Sequence, residues 1–426
     1  MCFVLWTVGN AVKTGSFYAN MLKLFTGTFG SHVIWGLSMM VAARLYTAEE
    51  IGEEQLFLSA ASMLETWAYG RYDKAVAIPK EQFQAVRLVL FSVLLSLGSG
   101  TLLLLLLAAM RDSFSWLAGI SGGSLFLLPL FVMEISLYMI FYAWLVRTKN
   151  YTVASKGLAL FPAAYLFLCV VLYFVPISVQ KLILALVLAR GAEVLYYMRH
   201  LYRDMRAYKG RVSVREVLQS GREYADFPKY VLPGKFLESL AADGVPFLLN
   251  AFWGTTATGY YAMAMRAFSS PSGLIQKAVG DVFWQESSIL YGRCSDCSLL
   301  YRKTLLLCLK ISTVVCACAY LVAPTAFSLF FGGDWIVSGI YMRRMLPMMF
   351  LMFVAVPLVN MYIVARRQCA FLGIQAMYFL SSVIGLGIVG WSGGDMETAL
   401  TAWSVLSAMV SGVSIYGGKR IAENQC

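Results

Sequence analysis

The sequence predicts an all-α, polytopic membrane protein of about twelve transmembrane helices in two six-helix lobes. Composition, the pattern of apolar runs and the placement of basic residues each point there. Of 426 residues, 59% are hydrophobic and 13% charged, against roughly 45–50% and 25% in soluble domains. Mean hydropathy is +0.69. Soluble interiors stop growing with chain length, so a water-soluble fold would leave much of this apolar surface wet. In lipid every backbone polar group must be satisfied internally, which leaves helices or a closed barrel. Barrel strands alternate over short segments, whereas residues 88–110 run for 23 positions without a charge. As a helix that run reaches ~34 Å, enough for a hydrocarbon core of ~30 Å.

Apolar runs read against polar breaks give spans at 21–43, 55–70, 87–109, 124–146, 157–176, 180–198, 230–252, 258–284, 303–323, 341–364, 369–390 and 397–417. The second and seventh are the weakest, each interrupted by charge, glycine or proline. The apolar start, residues 1–12, has no small-residue cleavage site and reads as an interfacial leader. Basic residues check the count. With the N-terminus in the cytoplasm, 24 of the 34 lysines and arginines fall on the inner side, five on the outer side and five inside spans. Basic loops stay cytoplasmic, and one missed helix would scramble the alternation after it. Both termini are therefore expected inside, and the net charge of +11 needs no nucleic acid partner.

Residues 199–229 form the longest polar stretch, with eight basic side chains. It divides the chain into an N-terminal lobe (1–205), a basic cytoplasmic linker (206–229) and a C-terminal lobe (230–426). Six spans per half give both halves the same orientation, as in a parallel repeat. The linker reads as a solvated segment near anionic lipid or as a docking point for a partner. The nine cysteines are scattered through spans and inner loops, as small apolar residues are. Cys294-Ser-Asp-Cys297 is a lone CxxC, so neither a metal nor a cofactor is expected. No P-loop, HExxH or GxSxG occurs.

A charge at the bilayer centre costs roughly 2.5–3.5 kcal/mol, so ionisable residues inside spans face a bundle interior or a wet cavity. In span eight, Arg266, Ser270, Gly273 and Lys277 recur at helical spacing and share one face. Arg266 sits near mid-depth, where a planar fork of donors suits a diphosphate or a carboxylate. Pro271 is expected to kink this helix and free a carbonyl. Lys277, nearer the inner face, is placed equally well to snorkel. Lys235 and Glu238, three apart, either pair with each other or line the cavity. Arg190 and Glu193 invite the pairing reading more strongly. Glu134 has no local partner and reads as a proton site for coupling or as the counter-ion of a basic residue across the cleft; Asp243 is the second candidate coupling carboxylate. His32 reads as a packing residue or a proton relay.

Several stretches, in order along the chain, resemble the polysaccharide-export flippase family of the multidrug/oligosaccharidyl-lipid/polysaccharide transporter superfamily. They are residues 24–28 with 43–52, and the arginine-tyrosine-acid segment 70–80 containing Arg71. In the second half come Phe252-Trp253-Gly254, then Gly259-Tyr260-Tyr261-Ala262, and Arg266 before Ser270-Pro271-Ser272-Gly273. Phe331-Gly332-Gly333-Asp334-Trp335 and Val356-Pro357-Leu358 with Arg366-Arg367-Gln368 continue the pattern.

The resemblance implies a two-lobe bundle that alternates around a cationic central cavity. The implied activity is flipping of undecaprenyl-diphosphate-linked oligosaccharide at the bacterial inner membrane, for O-antigen (lipopolysaccharide), capsule or exopolysaccharide. Arg266 stands where the related lipid II flippases carry an arginine in span eight, and Arg71 joins Arg266, Lys277, Ser270 and Lys235 as a cavity candidate. The partners implied are the lipid-linked oligosaccharide, membrane lipid and the polysaccharide polymerase machinery. The chain lacks the extra spans of the lipid II branch and the cation-site signature of the drug-export branch.

Three other readings compete. A drug or small-molecule antiporter of the same superfamily needs a buried carboxylate but no diphosphate-binding arginine. A membrane glycosyltransferase or polymerase needs a large outer loop with catalytic residues, and no outer loop here is long. A scaffold needs no mid-depth arginine.

Overall fold

The computed structural model describes residues 14–109, 120–206, 213–293 and 295–423. The interfacial leader 1–12, Lys13, Arg111, Lys209, Arg211, Cys2, Cys294 and Cys426 lie outside the described residues. Helices follow one another without a strand among those described. They are α1 (Thr14–Leu45), α2 (Ala48–Ala68), α3 (Gln82–Ala109), α4 (Leu128–Arg147), α5 (Tyr151–Tyr173) and α6 (Lys181–Met205). After a short helix, Val214–Glu223, come Leu232–Asp243 and Val245–Gly292. The latter breaks at Gly254, so we label 232–253 α7 and 255–292 α8. The chain ends with α9 (Ser298–Phe331), α10 (Ile336–Leu358), α11 (Gln368–Trp391) and α12 (Met396–Glu423). Each expected span falls on one of these helices, so the chain is a multi-pass membrane protein.

Among the described residues, seven helical stretches are long and apolar enough to cross a membrane on length and composition alone. Outside that set are α1, α2, α6, α7 and α8; of these, α2 carries the buried Glu54 and Glu65 and α6 the buried Glu193. Polar residues at membrane depth are tolerated where they face protein or water rather than lipid. Helix α3 shows the opposite habit: Leu102, Leu105 and Leu106 all point outward, as a lipid-facing surface requires.

Local chemistry sets several boundaries. Thr47 and Glu50 form a reciprocal cap, with Thr47 N–H donating to Glu50 Oε2 (2.9 Å) and Glu50 N–H to Thr47 Oγ1 (3.2 Å). That cap starts α2 at residue 48, so its first two turns already contain Glu54. Asp395 caps α12 by accepting from Thr398 N–H and Oγ1, and these bonds hold its carboxyl below the usual carboxylate range. Within 245–292 the chain breaks at Gly254, while Pro271 lies inside the helix. Gly254 alone in that segment leaves helical geometry, at φ 82° and ψ 175°. Proline keeps a helical φ and loses one hydrogen bond, whereas the Gly254 conformation is open essentially only to glycine. Gly254→Ala is accordingly expected to cost about 1–3 kcal/mol, read as a lower unfolding temperature of the purified protein.

The described residues fall into two compact units. The first contains those of 1–38, 64–113 and 122–232; the second contains those of 39–63, 114–121 and 233–426. Chain halves and units thus differ: the C-terminal end of α1 and most of α2 belong with the second unit. The first unit is built around Tyr69, Leu88, Trp144, Leu145 and Tyr197, all fully buried. Tyr72 Oη donates to Gly221 O (2.8 Å) and Arg87 pairs with Glu216 (3.2 Å), which fastens the short helix Val214–Glu223 to this unit. The second unit centres on Phe283, Tyr301, Cys308, Val354 and Met361. Its helices meet through small residues and hydroxyls: Gly339 lies on Pro324, Ser381 Oγ meets Ser407 Oγ (2.9 Å), and Trp403 Nε1 donates to Ser382 Oγ (3.1 Å). That is the packing mode helices use in lipid, where apolar burial drives little.

Candidate functional site

The second unit contains the residues that sequence singled out most strongly. Helices α2 and α8 cross where Gly52 and Gly259 face each other. A Cβ on Gly52 would overlap the Thr255 carbonyl, and one on Gly259 would overlap the Ala48 carbonyl. The backbones therefore touch. Two turns beyond Gly259 on α8, Arg266 meets Glu54 and Gln55 of α2. Arg266 Nη1 donates to Glu54 Oε2 at 2.8 Å, while Nε and Nη2 donate to Gln55 Oε1 at 3.2 and 2.9 Å. The Glu54 side chain has no exposure at all, and that of Arg266 has 13%. In this structure the guanidinium fork is matched to a carboxylate and an amide oxygen.

Beyond Arg266 the predicted face opens step by step. Ser270 is half-buried, a Cβ at Gly273 would meet nothing within 4 Å, and Lys277 is exposed. Lys235 and Glu238 realise the pairing reading, with Nζ donating to Oε1 at 2.8 Å. Asp243 Oδ2 accepts from Ser62 Oγ (2.7 Å) and Ser239 Oγ (2.6 Å), a second polar tie between α2 and α7. Between α7, α8 and α10–α12 lies a cavity of about 280 Å³, comparable to the low end of small-molecule sites. Tyr261, Met265, Met348, Tyr378 and Trp403 line it, with Gln375 and Glu238 as polar groups.

The first unit contains Arg71 and Glu134. Arg71 adopts a left-handed turn (φ 59°) and donates to Tyr69 Oη (2.8 Å), with Glu65 at 4.0 Å and Asp73 at 3.7 Å. Burial pushes the Asp73 carboxyl up, against the pull of Arg71 and Lys74. Arg71 is thus held among acids at the end of α2. Glu134, on α4, sits against Gly191 of α6, beside an Arg190–Glu193 ion pair. Among the described residues no group of three His, Cys, Asp or Glu side chains is arranged to hold a metal. Cys297 of the CxxC is buried, as are Cys169, Cys308 and Cys316.

Sequence reasoning found Arg266 and missed its partners. Span two, read as 55–70, leaves Glu54 just outside it, although the Thr47…Glu50 cap starts the helix at residue 48.

Long apolar helices with ionisable residues buried between them define a polytopic membrane protein. Residues 94–341 match the family described as polysaccharide biosynthesis protein, and the chain belongs to that family. Among curated proteins none matches the sequence. The fold is similar to the lipid II flippase MurJ in an inward closed conformation, with TM-score 0.75 at 9% identity over 92% of this chain and 86% of that one. It is also similar to an inward-facing multidrug resistance MATE family transporter of the MOP superfamily, with TM-score 0.70 at 15% identity over 92% and 94%. A MOP superfamily transporter from Pyrococcus furiosus gives TM-score 0.63 at 15% identity over 94% and 95%. At these identities the likeness is one of fold.

Proposed function

We propose that the protein is a flippase that moves undecaprenyl-diphosphate-linked oligosaccharide across the bacterial inner membrane by alternating access. In this reading two six-helix lobes, joined by the basic linker 206–229, have both termini in the cytoplasm and deliver substrate for O-antigen, capsule or exopolysaccharide synthesis. A polysaccharide polymerase would then act on the delivered unit. One observation carries the reading: a guanidinium fork on a membrane helix, seated on the fully buried Glu54 and on Gln55.

A diphosphate offers that fork the same paired oxygens as a carboxylate, with more charge. When it takes Arg266, Glu54 is left buried without its cation, at a cost of about 3–5 kcal/mol. The start of α2 is then driven off α8. A ligand shifts a conformational equilibrium only by its differential affinity for the two states, and the release of Glu54 supplies that difference. Ser270 and Lys277 continue the face along which the headgroup would pass. Lys235 and Arg71 take part once their pairs with Glu238 and Asp73 open. Glu134 and Asp243 are the carboxylates proposed for coupling.

The test is flipping of fluorescent undecaprenyl-diphosphate-sugar in proteoliposomes, beside its monophosphate analogue. The expected result is transport of the diphosphate lipid at least tenfold faster than of the monophosphate. Equal rates for both would remove the diphosphate from recognition. A second reading, a small-molecule antiporter, is favoured by the aromatic and thioether lining of the 280 Å³ cavity. Uptake of a lipophilic cation, with neither sugar lipid flipped, would establish it instead.

A further inference from the structure

A buried cluster in the first unit contains Glu134, one of the two carboxylates named above for coupling. It consists of Glu134 on α4 and Arg190 and Glu193 on α6. The Glu193 side chain is 1% exposed and that of Arg190 15%, and the two form an ion pair. The guanidinium is packed between two rings, with the Phe161 centroid at 3.7 Å and that of Tyr138 at 4.6 Å. Glu134 is 9% exposed. A Cβ on Gly191 would come within 2.9 Å of Glu134 Oε1, so this carboxyl reaches α6 only because residue 191 is glycine.

Two carboxyls thus share one permanent cation. Arginine keeps its proton in proteins, so with both carboxylates ionised the cluster holds one uncompensated negative charge. The polar atoms show the same imbalance. Glu134 Oε2, Glu193 Oε1 and Arg190 Nε are buried without a hydrogen-bond partner. A plain architectural ion pair needs only Arg190 and Glu193; Glu134 adds a buried charge and nothing that neutralises it. Buried carboxylates without a partner are costly, and one bound cation removes the cost.

The surroundings select which cation. A metal ion would sit beside a guanidinium that repels it, with two carboxylates and, among the described residues, no third His, Cys, Asp or Glu side chain to complete its shell. The rings packed around the cluster are Tyr138 and Tyr142 from α4, Tyr197 from α6 and Phe161 from α5, on which Trp35 of α1 stacks. Helix α3 adds Ser92 and Ser96, whose hydroxyls donate to backbone carbonyls. A proton needs only one oxygen, and it leaves the other carboxylate ionised on Arg190.

We propose that Glu134, Glu193 and Arg190 form a proton-binding site inside the first unit, with the proton on Glu134 while Glu193 pairs with Arg190. Removing Arg190 from Glu193 would exchange the roles of the two carboxyls, so movement within the unit and proton occupancy are linked. Use of this proton to drive transport rests on the flippase reading; its binding does not.

The test is infrared difference spectroscopy of the whole reconstituted protein, following the C=O stretch of protonated carboxyl groups at pH above about 6, where exposed carboxyls are ionised. A band is expected that is lost in Glu134→Gln and displaced in Gly191→Ala, which pushes on Oε1 without removing the carboxyl. An identical band in the wild type and in Glu134→Gln, or no band in the wild type, would overturn the site. Loss of the band on adding sodium at constant pH would also overturn it, in favour of a metal ion. Flipping is measured on the same samples. A Glu134-dependent band without flipping leaves the proton site standing and sinks the flippase reading; flipping without the band does the reverse.

Discussion

Arg266→Ala is expected to destabilise the protein by about 3–5 kcal/mol, because it removes one partner of a buried ion pair, the guanidinium bonded to Glu54. Glu54 has no exposure, so water cannot take over the role of the guanidinium. Glu54→Gln is expected to cost less, since Arg266 keeps Gln55 as an acceptor for Nε and Nη2 and gains an amide oxygen at position 54. The informative variant is the pair Arg266→Met with Glu54→Gln, which removes both charges and keeps the volume. Replacing both members of a buried pair by neutral groups is often close to neutral for stability. The double variant should therefore recover most of the lost unfolding temperature yet flip no diphosphate lipid. Wild-type flipping by this variant would reduce Arg266 to a structural residue. An unchanged unfolding temperature in Arg266→Ala would mean that the Glu54 pair does not form in the membrane.

The reasons this pair escaped the sequence are physical. The spans were legible because lipid imposes long charge-free runs, and 88–110 is one. Pairs three apart were legible because a helix places such residues on one face; Lys235 with Glu238 and Arg190 with Glu193 both follow that rule. Arg266 and Glu54 are 212 positions apart, and no periodicity reports a contact between distant helices. The entry of Glu54 into α2 was nonetheless encoded, in Thr47 and Glu50. The break at Gly254 was hidden by Pro271: proline is the conspicuous helix breaker, but only glycine reaches φ 82° with ψ 175° cheaply. Glu134 was visible as a lone charge, and Gly191 explains its position only once α4 and α6 are seen side by side.

Gly259→Ala should abolish flipping, and the reason is confined to one contact. Alanine forms helix better than glycine by about 0.8–1 kcal/mol, so the substitution stabilises α8 in isolation. Its added methyl would overlap the Ala48 carbonyl, and the backbone nitrogen of Gly52 lies 3.0 Å away. Neither neighbour is a side chain that can rotate aside. Relief requires α2 to move bodily off α8, which also separates Glu54 and Gln55 from Arg266. Overpacking of this kind costs typically 1–3 kcal/mol in adaptable cores, and a backbone-to-backbone clash falls at the upper end or beyond. At about 1.4 kcal/mol per factor of ten, the crossed arrangement loses more than a tenfold share of its population. Spin labels on exposed positions of α2 and α8 should report a longer separation, and the diphosphate lipid should no longer flip. Gly273→Ala is the matched control, because the same methyl on the same helix meets nothing within 4 Å. It is expected to flip as the wild type does. Equal flipping by both variants would show that transport does not pass through the α2–α8 crossing; loss in Gly259→Ala alone would tie the cycle to it.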